Sequence, residues 1–142
     1  MLNLLELIKA YILGMCVFFM DLKRGIIFGI VLWVAIFLEV IFLMQGFNLE
    51  NGDWAYHITH YILVAIFVII ASIYYFRGRR VMRDIKEGFK AGILFVIIGI
   101  ILDALIRIPF FVKSLSFFFD AGIWMGYLEI IVITCIIGAI RD

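Results

Sequence analysis

Between Ala91 and Ile106 the sequence AGILFVIIGIILDALI carries one charge, Asp103. Extended to Gly88–Phe110, the run is long enough to cross the hydrocarbon of a bilayer as a helix, which takes about 20 apolar residues. Gly88, Gly92, Gly99 and Asp103 are separated by steps that return near the same face at 3.6 residues per turn. The acid therefore shares the side of the helix suited to close packing. Similar unbroken apolar runs occur elsewhere in the chain. A transmembrane barrel would instead read as roughly ten-residue segments of alternating polarity. In lipid the backbone must satisfy its own polar groups, so continuous runs mean helices. Hydrophobic residues make up 67% of the chain and the mean hydropathy is +1.22; soluble domains are nearer half apolar.

The predicted fold is all-α, a polytopic membrane protein with four transmembrane helices in a bundle. The spans are expected at about 25–45, 54–76, 90–110 and 121–140, in a single membrane domain. Residues 1–20 are apolar but interrupted by Asn3, Glu6 and Lys9, and the uninterrupted part is too short to span. They are expected to form an amphipathic helix lying in the interface, with a fifth, tilted span as the rival. No small-residue cleavage site follows, so the segment is not read as a removed signal peptide. Lys23, Arg24, the basic run Arg77–Lys90 and Arg141 fall on one side of the expected membrane, against Arg107 and Lys113 toward the other. The positive-inside rule then puts both termini in the cytoplasm of a multi-pass cell membrane protein. Arg80/Asp84 and Arg83/Glu87 are spaced for helical pairing, so the basic segment is expected to extend the neighbouring helices. It also suits anionic lipid headgroups. The net charge of +1 implies no nucleic-acid partner. Cys16 and Cys135, each isolated in an apolar run, read as small buried hydrophobes.

The first and third spans share a pattern, Gly25-xxx-Gly29 before Glu39 and Gly88-xxx-Gly92 before Asp103. Each is followed by a loop ending in an acid and an aromatic-led helix. This suggests a tandem repeat of two helical hairpins, related by a twofold axis along the membrane normal. Gly122-xxx-Gly126 is a third motif of the same kind. Small residues let helix backbones approach in lipid, so all three are expected to pack the bundle or to serve a homo-oligomer or a membrane partner.

Counting 1.5 Å per residue, Glu39 lies roughly 21 Å and Asp103 roughly 18–22 Å above the cytoplasmic face. His57, His60 and Glu129 fall within about 12 Å of the outer face. The ionisable groups thus collect in one slab in the outer half of the membrane, with none expected in the inner half. A charge at mid-membrane costs roughly 2.5–3.5 kcal/mol even on the lenient scale. Each acid must therefore find a base, a cation or a proton. Asp103 has Arg107 one turn on. Glu39 and Glu129 have no basic neighbour in sequence. The ligand-binding candidates are Glu39, Asp103, Arg107 and Glu129. His57 and His60, three apart on one face, are the candidate metal ligands for a divalent cation, with imidazole and carboxylate favouring zinc, manganese or iron over magnesium. Trp54 and Trp124 read as interfacial anchors, Trp33 as mid-span packing, and Pro109 as the end or kink of the third helix.

No hydrolase, metalloprotease, phosphate-loop or dinucleotide motif occurs. The leading reading is an integral membrane protein that binds or transports a cation, proton or small ligand. The alternatives are a structural or accessory subunit of a membrane complex and, last, a membrane-embedded metal-dependent enzyme acting on a lipid headgroup.

Overall fold

The structure, a computed structural model, describes residues 3–50, 52–78 and 81–140, without the side chains of residues 13–21. It is helical, and four helical segments are long and apolar enough to cross a membrane: Leu22–Gly46, Trp54–Phe76, Ile85–Val112 and Ala121–Ile140. The chain is a multi-pass membrane protein. Large apolar side chains remain exposed along the outward faces at helical spacing. Ile58, Ile62 and Ile66 illustrate this on the second span, and Ile97, Ile101 and Leu105 on the third. Such stripes belong against acyl chains rather than water.

The first helix, α1, runs from Leu4 to Gly46, 43 residues and thus about 65 Å long. The expected N-terminal helix is therefore continuous with the first span, with no turn at residues 21–24. Leu4, Leu5, Leu7, Ile8, Tyr11 and Ile12 on this extension are exposed. The second helix, α2 (Trp54–Phe76), ends near Tyr74 and Tyr75, whose carbonyls accept hydrogen bonds from Arg24, the Tyr75 bond at 2.9 Å. Arg24 thus satisfies two of the carbonyls that a helix C-terminus leaves open.

The described part of the basic segment is not helical; Arg79 and Arg80 lie outside the described residues. The expected helical pairs do not form, because α3 starts only at Ile85. Asp84 takes the capping position and accepts from the Glu87 N–H at 2.7 Å. Glu87, 8% exposed, accepts from the Tyr75 hydroxyl at 2.8 Å and faces Lys90 at 3.6 Å. Glu87, expected in the basic segment outside the third span, is therefore a buried acid at that end of the bundle. Past Leu102, α3 continues as a π-helical segment, Asp103–Val112. Pro109 sits inside this segment and does not end the helix. Termination comes at Lys113, left-handed at φ 55°, whose N–H reaches the Ile108 carbonyl at 2.7 Å. A 3₁₀ turn, Leu115–Phe119, leads to α4 (Ala121–Ile140).

In the bundle α1 packs on α2 and α3, and α4 packs on α2 and α3, while the backbones of α1 and α4 stay apart, as do those of α2 and α3, which meet through the Tyr75 side chain against Glu87 and Phe95. A twofold axis along the membrane normal would put α1 and α3 across the centre from each other. They are neighbours, so the expected symmetry of the hairpins is not found. The glycine motifs also differ from one another. A Cβ on Gly88 would meet the Thr134 carbonyl oxygen at 2.6 Å, and one on Gly92 the Ile131 Cα at 2.9 Å. These two let α3 and α4 touch backbone to backbone. Gly25 and Gly29 instead receive the side chains of Leu94 and Ile98. A Cβ on Gly126 would meet nothing within 4 Å. Accordingly, Gly88→Ala should cost about 1–3 kcal/mol through overpacking, whereas Gly126→Ala should stay within about 1 kcal/mol of the parent or gain from helix propensity. Unfolding in mixed micelles titrated with a denaturing detergent measures both.

Candidate functional site

Asp103 stands where α3 passes into its π-helical segment, and it is 4% exposed. A carboxylate buried this deeply requires donors on both oxygens. Oδ1 accepts from the Trp33 indole N–H at 2.9 Å and Oδ2 from the Tyr127 hydroxyl at 2.7 Å. Trp33 belongs to α1 and Tyr127 to α4, so three helices meet on one side chain. Arg107 lies 3.7 Å from Oδ1. That is an ion pair beyond hydrogen-bond length. Its guanidinium carbon lies 4.8 Å from the Phe117 ring centroid, a cation–π contact. Among the described residues the Arg107 guanidinium forms no hydrogen bond.

The second polar group joins α1 to α2. His60 Nδ1 and Glu39 Oε2 are 2.8 Å apart, with the carboxylate almost fully buried. The other oxygen, Glu39 Oε1, is buried without a partner among the described residues, as is Glu129 Oε2 on α4. Glu129 lies within the electrostatic reach of His60. The Tyr56 ring stacks on His60, 5.6 Å between centroids and 8° from parallel. Tyr56 is 4% exposed, and its hydroxyl has no hydrogen bond among the described residues. It lies in the fields of both Arg107 and Glu39.

Between these groups lies a cavity of about 130 Å³, lined by residues from all four helices. Its size is comparable with that of the ~150 Å³ apolar cavities that hold a benzene-sized molecule. Gly29, Gly99, Gly122 and Gly126 line it, and positions without side chains leave the space unfilled. Leu32, Val64, Phe95 and Ile130 form the apolar end. Tyr56, His57, Arg107 and Asp120 form the polar end toward the loop between the third and fourth spans.

Of the residues predicted from sequence, Asp103 and Arg107 meet as expected and line the cavity, as do His57 and His60. Glu39 stands behind His60, and neither Glu39 nor Glu129 lines the cavity. No three His, Cys, Asp or Glu side chains are grouped to hold a metal among the described residues. His57 and His60 therefore lack a third protein ligand there. Sequence reasoning passed over Trp33, Tyr56 and Tyr127. The available signal was the indole and phenol donors, which seek an acceptor when placed in apolar helices. Trp54 and Trp124 are exposed at the starts of their helices, and Trp124 donates to the Phe118 carbonyl at 2.7 Å. Cys135 is a half-buried free thiol; the side chain of Cys16 lies outside the described residues.

Comparison with protein families, curated proteins and solved structures finds no match for this chain.

The Asp103 cluster predicts its own energetics. Tyr127→Phe and Trp33→Phe should each cost about 1–3 kcal/mol, because each strips a donor from a buried acceptor. In an Asp103→Leu background, where no acceptor remains, Tyr127→Phe should cost little more. The double-mutant cycle, read by denaturing-detergent titration, gives the coupling directly.

Proposed function

We propose that this chain is a binding protein of the membrane, and that it takes a small ligand into the cavity at the centre of its helices as the binding step of transport. The cavity itself carries this reading. Packed bundles keep few voids larger than a water molecule, and ligand sites between helices are concave and largely apolar with a few placed polar groups. Of the ligands suggested by the sequence, a small molecule suits the site better than a bare cation. Both Asp103 oxygens already accept from Trp33 and Tyr127, and Glu39 is engaged by His60. The cavity wall is mostly aromatic and aliphatic.

Filling the space tests the reading. Gly126 faces open volume, so Gly126→Phe should leave the bundle folded and occupy the cavity. Detergent-solubilised protein screened by thermal shift against small amines, carboxylates, phosphates and neutral alcohols should yield a stabilising compound. Its effect should vanish in Gly126→Phe. A screen with no such compound would remove the reading.

A second reading, an accessory subunit, is favoured by the exposed apolar residues on the N-terminal extension of α1. That segment would lie on the membrane surface or against a membrane partner. Orientation follows from charge. Arg77, Arg83, Lys86 and Lys90 are exposed at one end of the bundle, and we assign that end, with both termini and an affinity for anionic lipid, to the cytoplasm. With native cysteines removed, an impermeant maleimide should label Gly52→Cys on intact cells, and Met82→Cys only after permeabilisation. The reverse pattern inverts the topology.

A further inference from the structure

We propose that the polar group of the ligand is an anion, a phosphate or carboxylate, seated between Arg107 and the Tyr56 hydroxyl, with the apolar remainder of an amphiphilic molecule directed toward Phe95 and Ile130. The inference rests on the cavity being a binding site and names the chemistry it would take.

The argument is an account of donors and acceptors. Asp103, the buried one of the two acids that line the cavity, has both oxygens occupied by N–H and O–H donors from neighbouring helices. It keeps Arg107 close at 3.7 Å but does not use its hydrogen-bonding capacity. The guanidinium is a fork of N–H donors shaped to hold carboxylate or phosphate oxygens in pairs. Its Cζ lies 4.8 Å from the Phe117 ring centroid, and its N–H groups make no hydrogen bond among the described residues. Beside it, Tyr56 is buried, held against His60 by stacking, and brings a hydroxyl without a partner among the described residues. Tyr56 lines the cavity, where its hydroxyl can donate to a ligand oxygen. The imidazole of His57, also on the cavity wall, makes no hydrogen bond among the described residues and adds a third group that can donate.

Asp120 lines the same end. It is exposed, and its Oδ1 accepts from the Gly122 N–H at 2.8 Å. Screened by solvent, it opposes an anion less than the half-buried Arg107 attracts one. The other end of the cavity offers hydrocarbon. From Arg107 to Phe95 the third helix rises roughly 18 Å, and Leu32, Val64, Phe95 and Ile130 close that end. Polarity therefore runs one way along the site, as in a molecule with one charged head and one apolar body.

Phenyl phosphate, inorganic phosphate and phenyltrimethylammonium, the organic probes being of the cavity's size, are titrated into the full chain in a neutral detergent, with tryptophan fluorescence and thermal shift as readouts. Phenyl phosphate should bind saturably. Arg107→Gln should weaken it about tenfold or more and Tyr56→Phe several-fold, while Arg107→Lys recovers part of the loss. Tyr56→Phe removes only a hydroxyl, so it remains informative if the arginine variants unfold. Tighter binding of phenyl phosphate than of inorganic phosphate supports an amphiphile as the source; equal binding supports a free anion and removes the apolar half of the proposal. If phenyltrimethylammonium binds instead, and Gly126→Phe abolishes that binding, the anion is wrong while the cavity remains a binding site. If neither Arg107→Gln nor Tyr56→Phe weakens phenyl phosphate, the seat is wrong. If no probe binds either the parent or Gly126→Phe, the inference fails together with the reading beneath it.

Discussion

A carboxylate enclosed by apolar helices is tolerable only where donors converge on it, and this bundle is arranged around that requirement at Asp103. The indole of α1 and the phenol of α4 meet its two oxygens. Hydrophobic burial cannot choose among rotations of a helix that is apolar on every side, because lipid is as apolar as a neighbouring helix. A donor–acceptor pair can. Turning α1 by one residue would carry Trp33 about 100° away from Asp103, leaving one oxygen of the buried acid without its donor at a cost of about 1–3 kcal/mol. The polar cluster therefore sets the rotation of α1 and α4 about α3. The Glu39–His60 pair does the same for α2 against α1.

The cavity follows from the same arrangement. Trp33 and Tyr127 are drawn to Asp103, and the neighbouring wall positions Gly99 and Gly126 have no side chains with which to fill the space beside them. Elsewhere glycine has the opposite effect. Gly88 and Gly92 bring α3 and α4 into backbone contact. The difference lies in what stands opposite. Gly88 and Gly92 face the backbone of the adjacent α4, whereas Gly126 faces the centre, where α1 and α4 do not meet. The π-helical turns that begin at Asp103 belong to this region too, and such turns often mark functional sites in helices.

Much of this architecture was legible in the sequence, because length and apolarity decide what can cross a bilayer. The spans and the Asp103–Arg107 pair follow from counting along a helix. The ring order of the helices does not, since GxxxG patterns say that a face can be approached but not by what. That is why Gly122-xxx-Gly126 read as a packing motif although Gly126 opens onto the cavity. The basic segment misled for a different reason. Charges four apart favour helix, but Asp84 serves better as a cap, and its spacing to Glu87 was the signal for a helix start. Glu87, spaced in sequence to pair with Arg83, is instead reached by the Tyr75 hydroxyl from α2, a contact that no local spacing announces. Trp33 reads as mid-span packing and Tyr127 carries no sequence signal of its own, yet their single polar atoms are the partners of the central acid.

The two polar groups are not independent, and Tyr56 is the reason. Its ring lies flat on His60, which holds Glu39. Its hydroxyl lies in the field of Arg107, which is paired with Asp103. Any molecule that engaged the Tyr56 hydroxyl would press on the stack and so on the hydrogen bond behind it. Glu39 keeps one buried oxygen without a partner among the described residues, and so does Glu129, near the same histidine. Buried polar atoms in that state are poorly stabilised, so the side of the bundle at Glu39 and Glu129 is tied less fully than the side at Asp103, where both oxygens have donors.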